Sequence, residues 1–266
     1  MVEDSLSAAA IGEGLTTAYL GRSLYYQPCM SSTQDEARRL AEEGAPEGTL
    51  VLADYQSAGR GRFERRWYAP PGSSLLLSLL FRPVLAPDRA QRLTMICALG
   101  VLDALTALDG DLGRRVGLKW PNDIVCEGRK LGGILTEGSV KGQELEYVVV
   151  GLGLNVNLDP GGLPKGLLVP ATSLSHALGR PVARRPLLWS LLAAIEGRYE
   201  RFKSGEEPVG EWGASLQTLG QQVAVRSGDE LVEGLAEAVD LDGALLVRQA
   251  DGRLRRLLVG DVTLRG

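Results

Sequence analysis

Histidine is almost missing from this chain: His176 is the only one among 266 residues. A Ser-His-Asp or Cys-His site would have to use it, and a multi-histidine metal centre is excluded. Cysteine is also scarce. Cys29, Cys97 and Cys126 are odd in number, far apart and without a CxxC pair, so neither a disulfide framework nor a zinc knuckle is indicated. No apolar run approaches the roughly 20 residues of a membrane span. The opening residues, MVEDSLSAAAIGEG, lack the basic region of a signal peptide. Positive charge is not in excess, the formal net charge being −4, and a chain built to hold a nucleic-acid backbone is usually basic. The expectation is a cytoplasmic protein with no DNA and no membrane among its partners.

What is present is an ordinary globular composition, 44% hydrophobic and 23% charged. Residues 1–21 read as a leader helix, followed by a first strand near Ser23–Gln27. Thr33 and Glu36 have capping-box spacing, which predicts a helix over Asp35–Glu43 ending at Gly44. Residues 49–54 and 74–81 read as buried strands on either side of a loop rich in Gly, Arg and Pro. Pro87 opens a helix that runs to about Leu108. Residues 116–120 form a short strand, 124–126 and 130–137 a hairpin, and 145–156 a long strand broken by glycines. Helices follow near 172–178, 185–203 and 208–219. From about residue 220 the texture changes to short strands separated by Ser-Gly-Asp and Asp-Gly turns, a small β-barrel that needs a larger neighbour for stability. The expected class is α+β: a mixed sheet with helices on one face over 22–219, and a small β domain over 220–266.

Four segments carry chemistry. In the first, Gln56 to Trp67, four arginines and one glutamate between Arg60 and Arg66 make a formal +3 inside an acidic protein. Glycines such as Gly59 and Gly61 let a backbone approach a ligand closely, arginine forks suit phosphate or carboxylate oxygens, and Trp67 offers a face for stacking. An RGG-like nucleic-acid patch has the same composition. In the second, Asn122 and Asp123 follow a strand end at Pro121, Lys130 opens the next strand, and Gly132 and Gly133 weaken it unless something must approach closely. Asp123 could hold Mg²⁺. In the third, Gly151-Leu-Gly153-Leu-Asn155 interrupts a strand, and Asn155 could read an adenine edge; GxGxN inside a strand is not a dinucleotide fingerprint. In the fourth, Ser32, Thr33 and Gln34 sit at a helix start, where hydroxyls and free N–H groups serve equally as caps or as a binding site for a polar head group.

In this order and spacing the segments resemble the biotin–protein ligase family. The likeness is carried by SST-Q near residue 32, ADYQSAGRGRFERRW, KWPNDI, GRKLGGIL and GLGLNVN, and by VDLDGALLVR and VGDVTLR in the tail, which resemble the family's small SH3-like C-terminal domain. It covers about residues 22–266. No counterpart of the family's winged-helix DNA-binding domain is seen, so the resemblance implies a monofunctional form. It also implies ATP-dependent biotinylation of a lysine on a biotin carboxyl carrier domain, through biotinyl-5′-AMP, with ATP, Mg²⁺ and biotin as the small molecules. A homodimer is left open.

The residue roles implied are as follows. Ser32, Thr33, Gln34 and Gln56 lie where biotin's head group binds, with Gly61 and Gly133 along the same pocket. Arg60 and Arg62 belong to the loop that orders over biotin and the adenylate, and with Lys130 they are the expected catalytic set. Arg62, Arg65, Trp67, Asn122 and Asn155 face ATP, and Asp123 faces the metal. Gln34 departs from the family, which usually has Asn there. A lipoate–protein ligase, a non-catalytic biotin-binding regulator and a nucleic-acid binder are the competing readings.

Overall fold

The computed structural model describes residues 6–162 and 170–264, so the first five residues of the expected leader and the last two of the expected C-terminal domain lie outside the described residues. Seven strands form one sheet: β1 (Leu24–Met30), β2 (Leu50–Gln56), β3 (Ser74–Phe81), β4 (Val116–Lys119), β5 (Asp123–Cys126), β6 (Arg129–Lys141) and β7 (Glu144–Asn155). Their spatial order is β1-β2-β3-β7-β6-β5-β4. Only the β1–β2 pair is parallel.

The helices of this region are α1 (Ala8–Glu13), α2 (Thr33–Glu42), α3 (Gln91–Leu108), α4 (Gly110–Arg115), α5 (Leu174–Leu178), α6 (Arg184–Lys203) and α7 (Val209–Ala214). The main pair, α3 and α6, packs on one face of the sheet, where Leu75, Leu77, Leu79 and Phe81 of β3 join Leu93, Leu188 and Ile195 in the large core. The shorter α2 covers part of the opposite face, with Ala37 and Ala41 against Val51, Ala53, Leu80 and Val149. Because β3 is covered on both sides, all eight of its residues are buried, and its sequence is a continuous apolar run rather than an alternation. Ser74 and Ser78 are the only polar interruptions in it. The segment from Pro87 to Leu108 is long and apolar enough to cross a membrane, but two-thirds of its apolar 18-residue stretch is buried inside the fold; it is a core helix.

Several local expectations shift. Ser32, not Thr33, caps α2: its Oγ accepts the Asp35 amide, while the Thr33 hydroxyl turns away to donate to Gln56. Asp35 and Glu36 in the first turn complement the helix dipole. The helix expected over 208–219 stops at Ala214 and continues as turns, because Leu216 leaves the helix to bridge Leu118 beside β4. Helix α4 was not anticipated. It is too short for a periodic pattern and exists because Asp109 caps it, accepting from the Asp111 and Leu112 amides.

The C-terminal domain is a five-stranded antiparallel sheet of β8 (Gln222–Ser227), β9 (Glu230–Val239), β10 (Leu245–Arg248), β11 (Leu254–Leu257) and β12 (Asp261–Leu264), in the order β11-β10-β9-β8-β12. Its apolar residues Val225, Leu245 and Val247 belong to the same core cluster as Trp120 and Trp212. The buried Trp120 indole donates to the Gly243 carbonyl at 3.0 Å. So small a sheet could not bury enough area alone and gains its stability from this docking.

Candidate functional site: one cavity under an arginine loop

The loop after β2 crosses the open side of the sheet as a tight hairpin. Arg60 bridges Arg66, Gly61 N donates to the Arg65 carbonyl at 2.7 Å, and Arg65 N to that of Arg62 at 3.2 Å. The two tip residues, Phe63 and Glu64, both have positive φ (54° and 58°), as a two-residue hairpin turn demands. Side chains pin the loop. Arg60 reaches Asp35 on α2 at 2.7 Å and Glu137 on β6 at 2.8 Å. Arg62 donates to Asn122 Oδ1 at 3.1 Å and to the Gly260 carbonyl at 3.3 Å. Arg65 pairs with Asp261 of β12. Loop, sheet and C-terminal domain together enclose a cavity of about 800 Å³.

One end of the cavity is a polar cup at the start of α2. Thr33 N donates to Gln56 Oε1 at 2.6 Å and Thr33 Oγ1 to the same oxygen at 3.1 Å. That double contact fixes Oε1 as the acceptor and leaves the NH₂ as the donor end of Gln56, a residue that lines the cavity. Ser32, Thr33 and Gln34 are buried yet line it.

The other end is cationic. Lys130 Nζ contacts Asp123 Oδ1 at 2.6 Å and lies 5.7 Å from the Trp67 ring centre. Asn122 is held by its own donation to the Ile134 carbonyl at 2.6 Å. Of the lining cations, Arg62, Lys119, Arg66 and Arg226 have no ion-pair partner among the described residues, and Arg62 and Lys119 are the two that are half-buried. Burial pushes the pKa of both down; for Lys119 the nearby Lys130 charge adds to that effect, while Asp123 and Asp261 oppose it. A desolvated, unpaired positive charge in a cleft is costly to the fold and marks a site that expects an anion.

Between the two ends lies Trp67. Its indole rests flat over the strand glycines: a Cβ on Gly153 would stand 2.6 Å from Trp67 Cε2, and one on Gly133 3.2 Å from Cζ3. What approaches those glycines closely is therefore this ring. Two buried polar atoms nearby have no partner, Trp67 Nε1 and Asn155 Oδ1. Asn155 Nδ2 donates to the Thr172 carbonyl at 3.0 Å, so the unpartnered atom is an acceptor, buried at the wall of the cavity that Asn155 lines. Buried polar atoms left alone are rare and call for an external partner.

Every residue expected to carry the site lines this one cavity: Ser32, Thr33, Gln34, Gln56, Arg60, Gly61, Arg62, Arg65, Trp67, Asn122, Asp123, Lys130, Gly133 and Asn155. His176 lies elsewhere, on α5. Sequence reasoning missed three participants. Lys119 sat in view inside the KWPND segment. Ser78 was signalled only by being polar within an apolar strand. Asp261 had no local signal at all. No group of three or more His, Cys, Asp or Glu side chains able to hold a metal ion occurs among the described residues.

The chain is similar to known proteins over both domains. Residues 26–155 match the model of the biotin/lipoate A/B protein ligase family, and residues 218–265 that of the biotin protein ligase C-terminal domain. The bifunctional ligase/repressor BirA of Bacillus subtilis is 35% identical over 261 residues, 97% of this chain and 79% of that protein. The biotin–[acetyl-CoA-carboxylase] ligase of Paracoccus denitrificans is 35% identical over 84% of this chain and 92% of its own. Among solved structures, the biotin protein ligase from Aquifex aeolicus in complex with biotin and ATP superposes with a TM-score of 0.75 at 28% identity, covering 92% of this chain and 99% of that one. A likeness of 35% identity over most of this chain, running through both domains, places the chain in the biotin–protein ligase family.

Proposed function

We propose that the chain joins biotin to ATP as biotinyl-5′-AMP and then passes the biotinyl group to a lysine of a biotin carboxyl carrier domain. The observation that carries this reading is the division of one cavity into a polar cup and a cationic end, with an aromatic platform and a free amide acceptor between them. Biotin's urea suits the cup and its valerate carboxylate points to Lys130. The adenine lies against Trp67 with its amine at Asn155 Oδ1, and the phosphates meet Arg62, Lys119 and Arg65.

Biotin's carboxylate is anionic at neutral pH and attacks the α-phosphorus without a general base, displacing pyrophosphate. The protein's work is to align the two anions and neutralise charge developing on pyrophosphate. The carrier lysine, as its neutral amine, then attacks the anhydride carbonyl. The amide forms, AMP leaves, and the amine's proton is released. Water would destroy the anhydride, so a loop pinned over the cavity protects it. Arg60 is not a phosphate ligand in this scheme, since two carboxylates, Asp35 and Glu137, hold it where Arg65 and Lys130 each have one; it anchors the loop.

Asp123 is the side chain that would hold a Mg²⁺ ion accompanying the nucleotide, an ion that a protein usually binds through one or two carboxylates together with substrate phosphates. When bound, the ion neutralises phosphate charge. The setting proposed is the cytoplasm, consistent with three free cysteines. The partner is a carrier domain, with no role for DNA.

The cup also bears on the choice between biotin and lipoate. Its uncommitted donors and acceptors match a cyclic urea and have nothing to pair with in a dithiolane. The test is incubation with biotin, MgATP and a carrier domain, scored by intact mass. A single ATP-dependent biotin-sized gain, lost when the carrier lysine becomes alanine, is expected. Gain with lipoate alone overturns the substrate, and tight biotin binding without gain overturns the activity.

A further inference from the structure

A buried hydroxyl behind the cup decides which of its atoms donate and which accept. Ser78, fully buried in the middle of β3, lies 3.0 Å from Thr33 Oγ1 and 3.1 Å from Gln34 Oε1. The proton directions follow from the fixed groups at the ends of this chain. Thr33 N can only donate, so Gln56 Oε1 is an acceptor. The Thr33 hydroxyl must then give its single proton to that oxygen. Gln34 Nε2 faces the Val149 carbonyl at 3.2 Å and the Leu135 carbonyl at 3.5 Å, both acceptors only, so Gln34 Oε1 is an acceptor as well. Ser78 is left as the donor, sharing one proton between Thr33 Oγ1 and Gln34 Oε1.

Towards the cavity, Thr33 therefore retains one lone pair and no proton. Gln34 retains no free proton vector to the ligand: both ends of its amide are engaged within the sheet. The residue that departs from the family pattern is a wall and a clamp, not a ligand donor. Its extra length takes it to carbonyls on both β6 and β7. Gly151 makes the clamp fit, because a Cβ there would stand 2.5 Å from Gln34 Oε1.

We infer that Ser78 is a positioning residue for substrate recognition: through Thr33 and Gln34 it holds the cup as an acceptor beside the donors of Gln56 and Ser32, the pattern that a cyclic urea's N–H and C=O groups complete. The inference rests on the urea being seated in the cup as proposed above.

The full-length protein tests it by calorimetric biotin titration, together with ATP KM at saturating biotin. Ser78→Ala frees the Thr33 hydroxyl to rotate, and biotin Kd should rise about tenfold, the scale of one buried hydrogen bond. The ATP KM should stay within twofold. Ser78→Thr keeps the hydroxyl and should recover biotin affinity to within threefold of wild type. Gly151→Ala, whose methyl would press on Gln34 Oε1 at 2.5 Å but reach only ordinary contact with Ser78 Oγ at 3.4 Å, should raise biotin Kd in the same direction. An unchanged Kd in S78A, equal losses towards biotin and ATP, or a threonine variant no better than alanine would each overturn the assignment. A wild-type protein that does not bind biotin overturns the seating itself and is read before any variant.

Discussion

Replacing Gly153 by alanine tests the stacking platform directly. The added methyl would lie 2.6 Å from Trp67 Cε2 and 2.7 Å from Cζ2. Ordinary contact begins near 3.4 Å, so the indole must lift by about 0.8 Å. Gly153 has no positive φ among the glycines that do, so its backbone accepts alanine and the strain falls on the ring. The ring cannot sink, because the strand is beneath it; it rises into the space assigned to the adenine. Stacking of a base on an aromatic side chain contributes roughly 1–3 kcal/mol. Its loss corresponds to a rise in ATP KM of roughly 5- to 150-fold. Biotin's cup lies beyond the ring, so biotin Kd should stay within threefold. The assay is biotin-dependent exchange between ATP and pyrophosphate, which isolates the first half-reaction. Gly133→Ala, where the approach is 3.2 Å, should give the smaller effect of the two. An ATP KM unchanged in G153A, or a biotin Kd that rises in parallel, would refute a nucleotide stacked on Trp67.

Two further expectations concern charge. Lys119→Met removes a half-buried, unpaired cation, so the melting temperature should rise at neutral pH while ATP KM rises too. The sign follows from the lowered pKa: between that lowered value and the ordinary lysine value the unfolded chain holds the proton and the folded chain does not, so wild-type stability climbs with pH across that window. Wild-type ATP KM should rise as Lys119 deprotonates, and K119M should lack that alkaline limb; a limb that persists, or a lower melting temperature, contradicts the assignment. Asp261→Ala cuts the tie between the arginine loop and β12. An exposed pair contributes at most about 1 kcal/mol, so ATP KM should rise up to about fivefold with little change in melting temperature, and trypsin should cleave faster between residues 60 and 66. Equal cleavage rates would show that the loop is held by its other contacts alone.

Much of this layout was legible from the chain. The apolar run of β3 was read with its true limits, and α3 lay within two turns of the expected helix. The hairpin of β5 and β6 and the change of texture near residue 220 were visible as well. The candidate residues came from four motif segments and from the family resemblance those segments carry, and every one of them lines the cavity. The signals failed where structure depends on short pieces or on neighbours distant in sequence. α4 is six residues long and carries no period. The cap of α2 moved by one residue because Thr33 had a better partner in Gln56, 23 residues away. α2 itself crosses to the face opposite α3 and α6, and its own composition does not say which face it will cover.

The sequence by itself determined the apolar strands and helices, the glycines where a ring or an amide must pass, and the inventory of arginines, lysines and amides from which the site is made. These are properties of residue type and local spacing. Tertiary structure decided which charges are neutralised and which are left bare. Arg60 and Arg62 are two residues apart in one loop, yet Arg60 meets Asp35 and Glu137 while Arg62 meets an amide, a carbonyl and the Phe63 ring, none of them charged. It also decided the direction of the protons around Ser78, because a hydroxyl has no intrinsic preference and takes its orientation from the fixed donors and acceptors that folding packs around it.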